Sequence, residues 1–507
     1  MIRNEASEVT PLAKQRKNKV FREEEHISRQ LALEETKNLI QLAVPTVGIQ
    51  IGAVVPPLLL TSYIGRTYGS VRLDGFLLAS LTGNLFTLAL LQGLFSASDT
   101  LSPQAFGANN EREVGLLAMR GFLGSMMVMI PVNAVLVTHM GPILEFVGID
   151  PEVSHNAWQW YRIYILSLPF YALFQVTWKF LSAQSVLFPC VVAVGVSSLL
   201  VLPVALVVWT HFCGYLGTAW ALVTYQVIEP LLLLLYIWWK QPHRPETWPG
   251  LASWNEALEE RRFWSYIALG AGGILASSEW IYWESLTLMI GTIGVEALSI
   301  HAIPSYVVMV IFMFPLGLGI ALAIRMGHTL PHSVSRTREL AFGCWCINAV
   351  LSGVVAIMLH VTRHHLYRIF TNDPIIQQGA DEIWPHVCIF QFGLSIFAIN
   401  MGLTTGLGMQ WTLGLVTILF LWVLGLPSAY YFAITRRGGL LAAWRCVWPP
   451  YLAINFVLML AVWCKDWEEI AKQIRAREEL TGNSPLTPPK QLHKRTLDQY
   501  YGATCER

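Results

Sequence analysis

Charge is what this 507-residue chain has least of: Asp, Glu, Lys and Arg make up 13% of it, roughly half of what a soluble globular protein carries. The 34 Lys and Arg nearly cancel the 33 Asp and Glu, so no basic surplus points to nucleic acid. Seven of the eight cysteines sit in apolar stretches (Cys190, Cys213, Cys344, Cys346, Cys388, Cys446, Cys464), and Cys505 lies in the tail. No pair has zinc-ligand or redox spacing, so they read as small apolar side chains. No cleavable leader is visible either. The first apolar run begins near Leu39 after a charged stretch, so the first span itself is expected to direct insertion. Nor is there a nucleophile–base pair at helical spacing. His364 and His365 fall in one loop and His328 with His332 in another, without carboxylate partners at metal-site spacing. They read as surface histidines, and an enzyme is not expected.

What the chain has instead is apolar bulk. Hydrophobic residues make up 54% and tryptophans number 20. Many of these tryptophans end apolar runs (Trp158, Trp160, Trp238, Trp239, Trp264, Trp384), the depth at which amphipathic rings settle in a bilayer. An apolar run of roughly 20 residues crosses the hydrocarbon as a helix, because a helix satisfies its own backbone there. Such runs fall near 39–64, 76–98, 115–140, 158–180, 187–211 and 215–239, then near 264–291, 295–322, 340–362, 383–408, 412–435 and 440–464. The fold class is therefore an all-α integral membrane protein of about twelve spans. The parts are an N-terminal segment 1–38, a first lobe 39–239, a linker 240–263 with Pro242, Pro245 and Pro249, a second lobe 264–464 and a tail 465–507.

Lys and Arg placement sets the expected orientation. The N-terminal segment (Arg3, Lys14, Arg16, Lys17, Lys19, Arg22, Arg29, Lys37), the linker (Lys240, Arg244, Arg261, Arg262) and the tail (Lys465, Lys472, Arg475, Arg477, Lys490, Lys494, Arg495) are the basic regions. With an even number of spans they share one side, which the positive-inside rule makes cytoplasmic. The halves also resemble each other. Asp99–Gly115 follows the second span and Arg325–Glu339 the eighth, at a separation of roughly 224 residues, and Lys179–Ser185 corresponds to Gly402–Gly408. Two six-span halves of the same orientation make a parallel repeat, from which two pseudo-symmetric six-helix lobes around a central cavity are expected. The charged segment Glu468–Glu479 reads as a solvated tail helix in preference to one lying on the membrane surface.

The segment Gly93–Gly121 (GLFSASDTLSPQAFGANNEREVGLLAMRG) resembles the region between the second and third spans of the multidrug and toxic compound extrusion (MATE) family, especially its eukaryotic branch. Glu279-Trp280 followed by Glu284 resembles that branch's seventh-span motif. Arg325-Met326-Gly327 resembles its motif after the eighth span, and Thr405–Gln410 its turn after the tenth. The similarity runs over roughly residues 35–465. It implies a cation-coupled efflux antiporter with two lobes and alternating access. Some animal members carry further glutamates where ungapped matching puts Tyr306 and Leu394 here, and Pro331 stands where a glycine is usual. These departures bear on substrate class more than on fold.

The candidate site follows from where acids occur inside spans. A charged carboxylate at the bilayer centre costs about 3 kcal/mol on insertion scales, so Glu279, near the middle of the seventh span, is expected to face a cavity or partner and to exchange a proton readily. Family members use a glutamate at this motif position for cation coupling, which implies the same role for Glu279. Glu284 lies on another face of that helix. Trp283 stands one turn from Glu279 and Trp280 one turn from Glu284, so each acid has an indole that can serve a cationic substrate or simply pack. Aligning the halves puts Val54 opposite Glu279, and the first span has no acidic residue, so the coupling site is expected in the second lobe. Glu229, in the sixth span before Pro230, is a second intramembrane acid that either lines the cavity or hydrogen-bonds to Gln226 and freed backbone. Asn84 matches a family asparagine in the second span. Asn348, Gln391 and Asn400 can line the cavity or bond between helices. Asp99, Gln104 and Arg325 are read as organising the loops and lobe closure.

The expected activity is export of organic cations or xenobiotics in exchange for protons. A sodium-coupled or organic-anion exporter of the same fold is the near alternative, and a lipid flippase with a related two-lobe fold the distant one. No cofactor or metal is implied, and the proton is preferred over sodium as coupling ion. A monomer in a plasma, vacuolar or organellar membrane is expected, with both termini cytoplasmic and no nucleic-acid partner.

Overall fold

The computed structural model describes residues 11–479. Arg3 and, in the tail, Lys490, Lys494, Arg495 and Cys505 lie outside them. Among the described residues, nine helical segments are long and apolar enough to cross a membrane by length and composition. One of these, Phe188–Lys240, is 53 residues long and holds two traverses. It folds back at Gly214 (φ 58°) so tightly that a Cβ on Gly217 would sit 2.2 Å from the Trp209 carbonyl oxygen. Helical rods at 151–182 and Glu260–Gly291 bring the set to twelve.

In chain order the rods are α1 (Pro11–Tyr68), α2 (Ser70–Gly107), α3 (Glu111–Phe146), α4 (151–182), α5 (188–213) and α6 (Gly217–Lys240). The second six are α7 (Glu260–Gly291), α8 (Val295–Thr329), α9 (Val334–Phe370), α10 (Pro374–Gly406), α11 (Gln410–Thr435) and α12 (Gly439–Cys464). A thirteenth, α13 (Trp467–Glu479), follows. Rods start where a polar side chain takes up free N–H groups: Asn110, Asp150, Ser333 and Asp373 cap α3, α4, α9 and α10. Wide π turns interrupt α2 at Asn84–Leu88, α5 at Ser197–Val201 and α11 at Ile418–Gly425 and Tyr431–Thr435.

Three apolar cores show how the rods are grouped. One draws only on α1–α6 for its buried members, such as Phe76, Trp160 and Tyr161. A second draws only on α7–α12, with Trp384, Phe390 and Tyr451. The third is shared: Leu39, Leu94, Ala105 and Leu181 of the first half pack with Tyr266, Ala321, Met326 and Leu407 of the second. The shared core lies toward the end of the molecule that carries the linker. Each lobe thus has its own interior, and the lobes are joined on the linker side.

Backbones nearly touch at that junction. A Cβ on Gly93 would stand 2.4 Å from Ile274 Cα, and one on Gly273 2.2 Å from the Gly93 oxygen, so α2 and α7 cross in close backbone contact, with only the small Ser96 side chain beside Gly273. The hydrogen bonds found between the lobes among the described residues run from Ser277 Oγ to the Ala89 oxygen (2.9 Å) down to the linker end. They include Thr100 Oγ1 to Thr405 O (2.6 Å), Gln104 Nε2 to Gly406 O (3.0 Å) and His328 Nε2 to Ala183 O (2.7 Å). Arg325 donates to Glu35 through Nε (2.6 Å) and Nη2 (2.9 Å), and Arg336 joins the same carboxylate.

Two expectations change here, for His328 and for α13. His328 is no surface histidine: its ring is wedged between the lobes against Phe106, with centroids 5.4 Å apart. The linker is an ordered strap, with the Arg244 N–H on Gln184 Oε1 (3.0 Å), Pro249 against Gly115, and the buried Arg120 Nε on the Ala257 oxygen (3.0 Å). And α13 is not solvated all round. Trp467, Ile470, Ala471 and Ile474, one face at helical spacing, are buried in the shared core. Arg475 donates to the Pro331 oxygen (3.1 Å) and Arg477 to Gln104 Oε1 (3.3 Å), so α13 grips both lobes.

Candidate functional site

Glu279 is carried on α7, whose neighbours Ala276, Tyr282 and Leu286 bury one side of the helix in the second-lobe core. That packing draws the carboxyl inward, to 3% exposure. Its Oε1 accepts from the Tyr451 hydroxyl (2.7 Å) and from Trp283 Nε1 (3.0 Å), and Trp283 Nε1 also lies 2.8 Å from the Tyr451 oxygen. The triangle ties α7 to α12. Rings enclose it: Phe390 of α10 is 4.8 Å from Trp283 and 5.1 Å from Tyr451, and Phe397 is 5.6 Å from Tyr451. Trp444 closes the far side at 6.0 Å from Phe390. No Lys, Arg or His forms an ion pair with Glu279 among the described residues. Such a carboxyl has two options at this depth: to hold a proton and be neutral, or to be ionised beside a cation that enters.

The other candidates are placed apart from it. Glu284 is part-buried on the neighbouring face, and the half-exposed Trp280 meets Phe312 edge-on at 6.0 Å. Asn84 is exposed at the start of the π turn in α2. Glu229 is buried in the first lobe, accepting from Tyr225 (3.1 Å). Asp99 receives Lys179 Nζ at 2.5 Å within the first lobe, while Gln104 and Arg325 belong to the linker-side junction. The structure thus brings Glu279 and Trp283 together and leaves the rest in other surroundings. Asn348 donates to the Ser395 oxygen (3.0 Å), Gln391 to Ser395 Oγ (3.0 Å) and Asn400 to Asn455 Oδ1 (2.9 Å), all inside the second lobe.

Sequence reading missed Tyr451, Phe390 and Glu35. A hydroxyl between apolar residues beside Pro449 and Pro450 was the only signal for Tyr451, and it named no partner. Glu35 stood among N-terminal charges, where nothing marked it as the acceptor for two arginines of the other lobe. Outside the membrane, the Arg112 guanidinium, hydrogen-bonded to Glu256 at 2.7 Å, holds that carboxyl below its usual range. Burial holds the linker's His243 imidazole below its ordinary value.

A family model described as MatE matches residues 45–207 and 276–431. Multidrug and toxin extrusion protein 2 of Mus musculus is 26% identical over 460 residues, covering 90% of this chain and 78% of that protein. Multidrug and toxin extrusion protein 1 of Xenopus tropicalis is 27% identical over 449 residues, covering 88% and 77%. Among solved structures, the eukaryotic MATE transporter AtDTX14 matches with a TM-score of 0.79 at 22% identity, covering 88% of this chain and 99% of that one. The Vibrio cholerae MATE transporter VcmN in the bent form matches with a TM-score of 0.74 at 14% identity, covering 88% and 99%. Both share the two-lobe helical fold. Members of this family are multi-pass membrane transporters and not enzymes. With more than half of its length matched by the family model, the chain belongs to the MATE family of multidrug and toxin extrusion transporters.

Proposed function

We propose that this transporter exports organic cations in exchange for protons, with Glu279 as the group that holds either one or the other. The observation that carries the reading is the buried Glu279 carboxyl, hydrogen-bonded on one oxygen by Tyr451 and Trp283 and lacking a basic partner. A proton neutralises it when no substrate is bound. An organic cation near Trp283 supplies the compensating charge instead, and each ring face it meets adds about 0.5–2 kcal/mol. Proton and substrate then compete for one carboxyl, which is sufficient for exchange when the two lobes open alternately. The ring-lined neutral surroundings favour a large, weakly hydrated cation over sodium, which needs several oxygens around it. No cofactor enters the cycle.

In this reading the basic linker and both termini face the cytoplasm. The junction through Glu35, Gln104 and His328 is then the closed inner gate, and the lobes part toward the opposite side. The transporter works as a monomer in a plasma, vacuolar or organellar membrane.

The test uses reconstituted protein and a fluorescent organic cation, with uptake driven by a pH gradient, with and without sodium. Proton-driven uptake that disappears in Glu279→Gln supports the proposal. Unchanged proton-driven uptake in that variant refutes the coupling role, and equal uptake on a sodium gradient alone reassigns the ion. Scrambling of a labelled lipid with no cation transport would point to the flippase reading.

A further inference from the structure

The proposed exchange uses one buried carboxyl, and the membrane region holds another. Glu229 is 3% exposed in α6, on the residue before Pro230, where the helix lacks an N–H. Its Oε1 accepts one hydrogen bond, from Tyr225 one turn earlier (3.1 Å), and no basic group pairs with it among the described residues. Three helices converge on this pair. Tyr225 faces Ser198 of α5, whose Oγ donates to the Gly52 oxygen of α1 (3.2 Å). Among the described residues, the titratable groups that feel Glu229 are Tyr225 on its own helix, Tyr171 on α4 and Cys190 on α5. A lone carboxylate with a single donor is untenable in that setting, so Glu229 rests protonated.

A permanently neutral acid would need no way out, but polar side chains lie near this one. Tyr171 lies within electrostatic reach of Glu229, and its hydroxyl accepts from Gln92 Nε2 of α2 at 3.2 Å. Gln92 is exposed. It sits three residues after Ala89 and four before Ser96, both of which touch α7 (Ser277 on the Ala89 oxygen at 2.9 Å, Gly273 against Ser96). Residues so spaced share a helix face. Gln92 therefore flanks the surface where the two lobes meet, away from the lipid side of α2.

We infer that Glu229 is a second proton-carrying carboxyl, lodged in the first lobe and connected to the inter-lobe face through Tyr171 and Gln92. The lobes then carry one exchangeable proton each, on different helices: α7 in the second lobe and α6 in the first. Loss of the Glu229 proton leaves a charge with one hydrogen bond at the point where α1, α5 and α6 are tied together, so hydration of the route and loosening of that tie occur together. The inference rests on the proton-exchange reading for its place in the cycle, though not for its test.

The test is an infrared pH titration of the resting protein in lipid, without substrate or gradient, following the protonated-carboxyl band. Glu229→Gln is expected to remove one titrating component that Glu279→Gln retains. In a second measurement, protons released per substrate bound are expected to fall by about one in Glu229→Gln, since the stoichiometry counts groups whose proton affinity changes. A titration and proton count identical to wild type in Glu229→Gln overturn the inference, as does a band that responds to sodium at fixed pH and not to pH. Should Glu229→Gln fail to fold, Tyr171→Phe combined with Gln92→Leu leaves the carboxyl in place. A pH jump is then expected to titrate it at least about a hundredfold more slowly, the low end of what a positioned proton-transfer group contributes, and an unchanged rate overturns the route. Because no transport is measured in the titration, failure of the Glu279 proposal and failure of this one give different results.

Discussion

Replacing Glu35 by Gln removes the charge that two arginines of the other lobe share. Arg325 grips the carboxylate through Nε and Nη2 at 2.6 and 2.9 Å, and Arg336 adds a third contact. The Glu35 side chain is 6% exposed and those of Arg325 and Arg336 are 18% and 31% exposed. Breaking one partner of a buried pair costs ~3–5 kcal/mol, because the other charge is left uncompensated. Partial exposure of Arg336 and the amide oxygen retained by Gln bring the figure to about 2–3 kcal/mol. At ~1.4 kcal/mol per tenfold, the linker-sealed arrangement loses roughly thirty- to a hundredfold in population against the arrangement parted on that side. Spin labels on the linker-side ends of α1 and α9, read by pulsed dipolar spectroscopy, report the change as a longer distance component. Adding Arg325→Gln to Glu35→Gln should recover part of the sealed population, since it removes the orphaned guanidinium. Identical distance distributions for wild type and Glu35→Gln would refute the claim that this ion pair holds the gate.

Gly93→Val is expected to part the lobes on the linker side and abolish transport, because its Cβ would meet the α7 backbone at 2.4 Å; the same labels check it. Trp467→Ala should lower thermal stability in detergent by the ~3–5 kcal/mol of a buried tryptophan, with a larger effect on the sealed arrangement; an unchanged melting temperature would mean that α13 does not clasp the lobes. Tyr451→Phe removes a donor to Glu279 worth ~1.5–3 kcal/mol if the carboxyl is ionised, and substrate affinity measured in the lipid-reconstituted protein is expected to change at least about tenfold. At the exposed Arg112–Glu256 pair the carboxyl's pKa is depressed, so its contribution is present above the unfolded value and lost as pH falls through the folded one. Glu256→Gln should therefore cost under ~1 kcal/mol at neutral pH and nothing at strongly acid pH, read by melting at both.

The spans were legible because lipid imposes one rule on every stretch of backbone. Their ends were less so. The helix of the third span runs from Glu111 to Phe146 where hydropathy suggested 115–140, since helices project past the hydrocarbon and hydropathy sees only the part inside it. The nearness of Trp283 to Glu279 was legible because i and i+4 share a helix face, though the hydrogen bond between them was not. Tyr451, 172 residues away from Glu279, was not, because no local pattern encodes which helix packs against which. The apolar stripe Trp467, Ile470, Ala471 and Ile474 was present in the tail sequence, but charges on its other face, such as Glu468, Glu469 and Lys472, dominated the reading. The junction at Glu35 was hidden for the opposite reason. Its side chain belongs to a charged segment, and only the approach of the second lobe buries it.

The central claim is that one carboxyl in the second lobe trades a proton for the substrate, and proton release on substrate binding tests it most directly. Purified transporter in weakly buffered solution with a pH indicator is titrated with an organic cation. Release of protons by wild type, lost with the Glu279 component in Glu279→Gln, is the predicted result. Equal proton release by wild type and Glu279→Gln would contradict it.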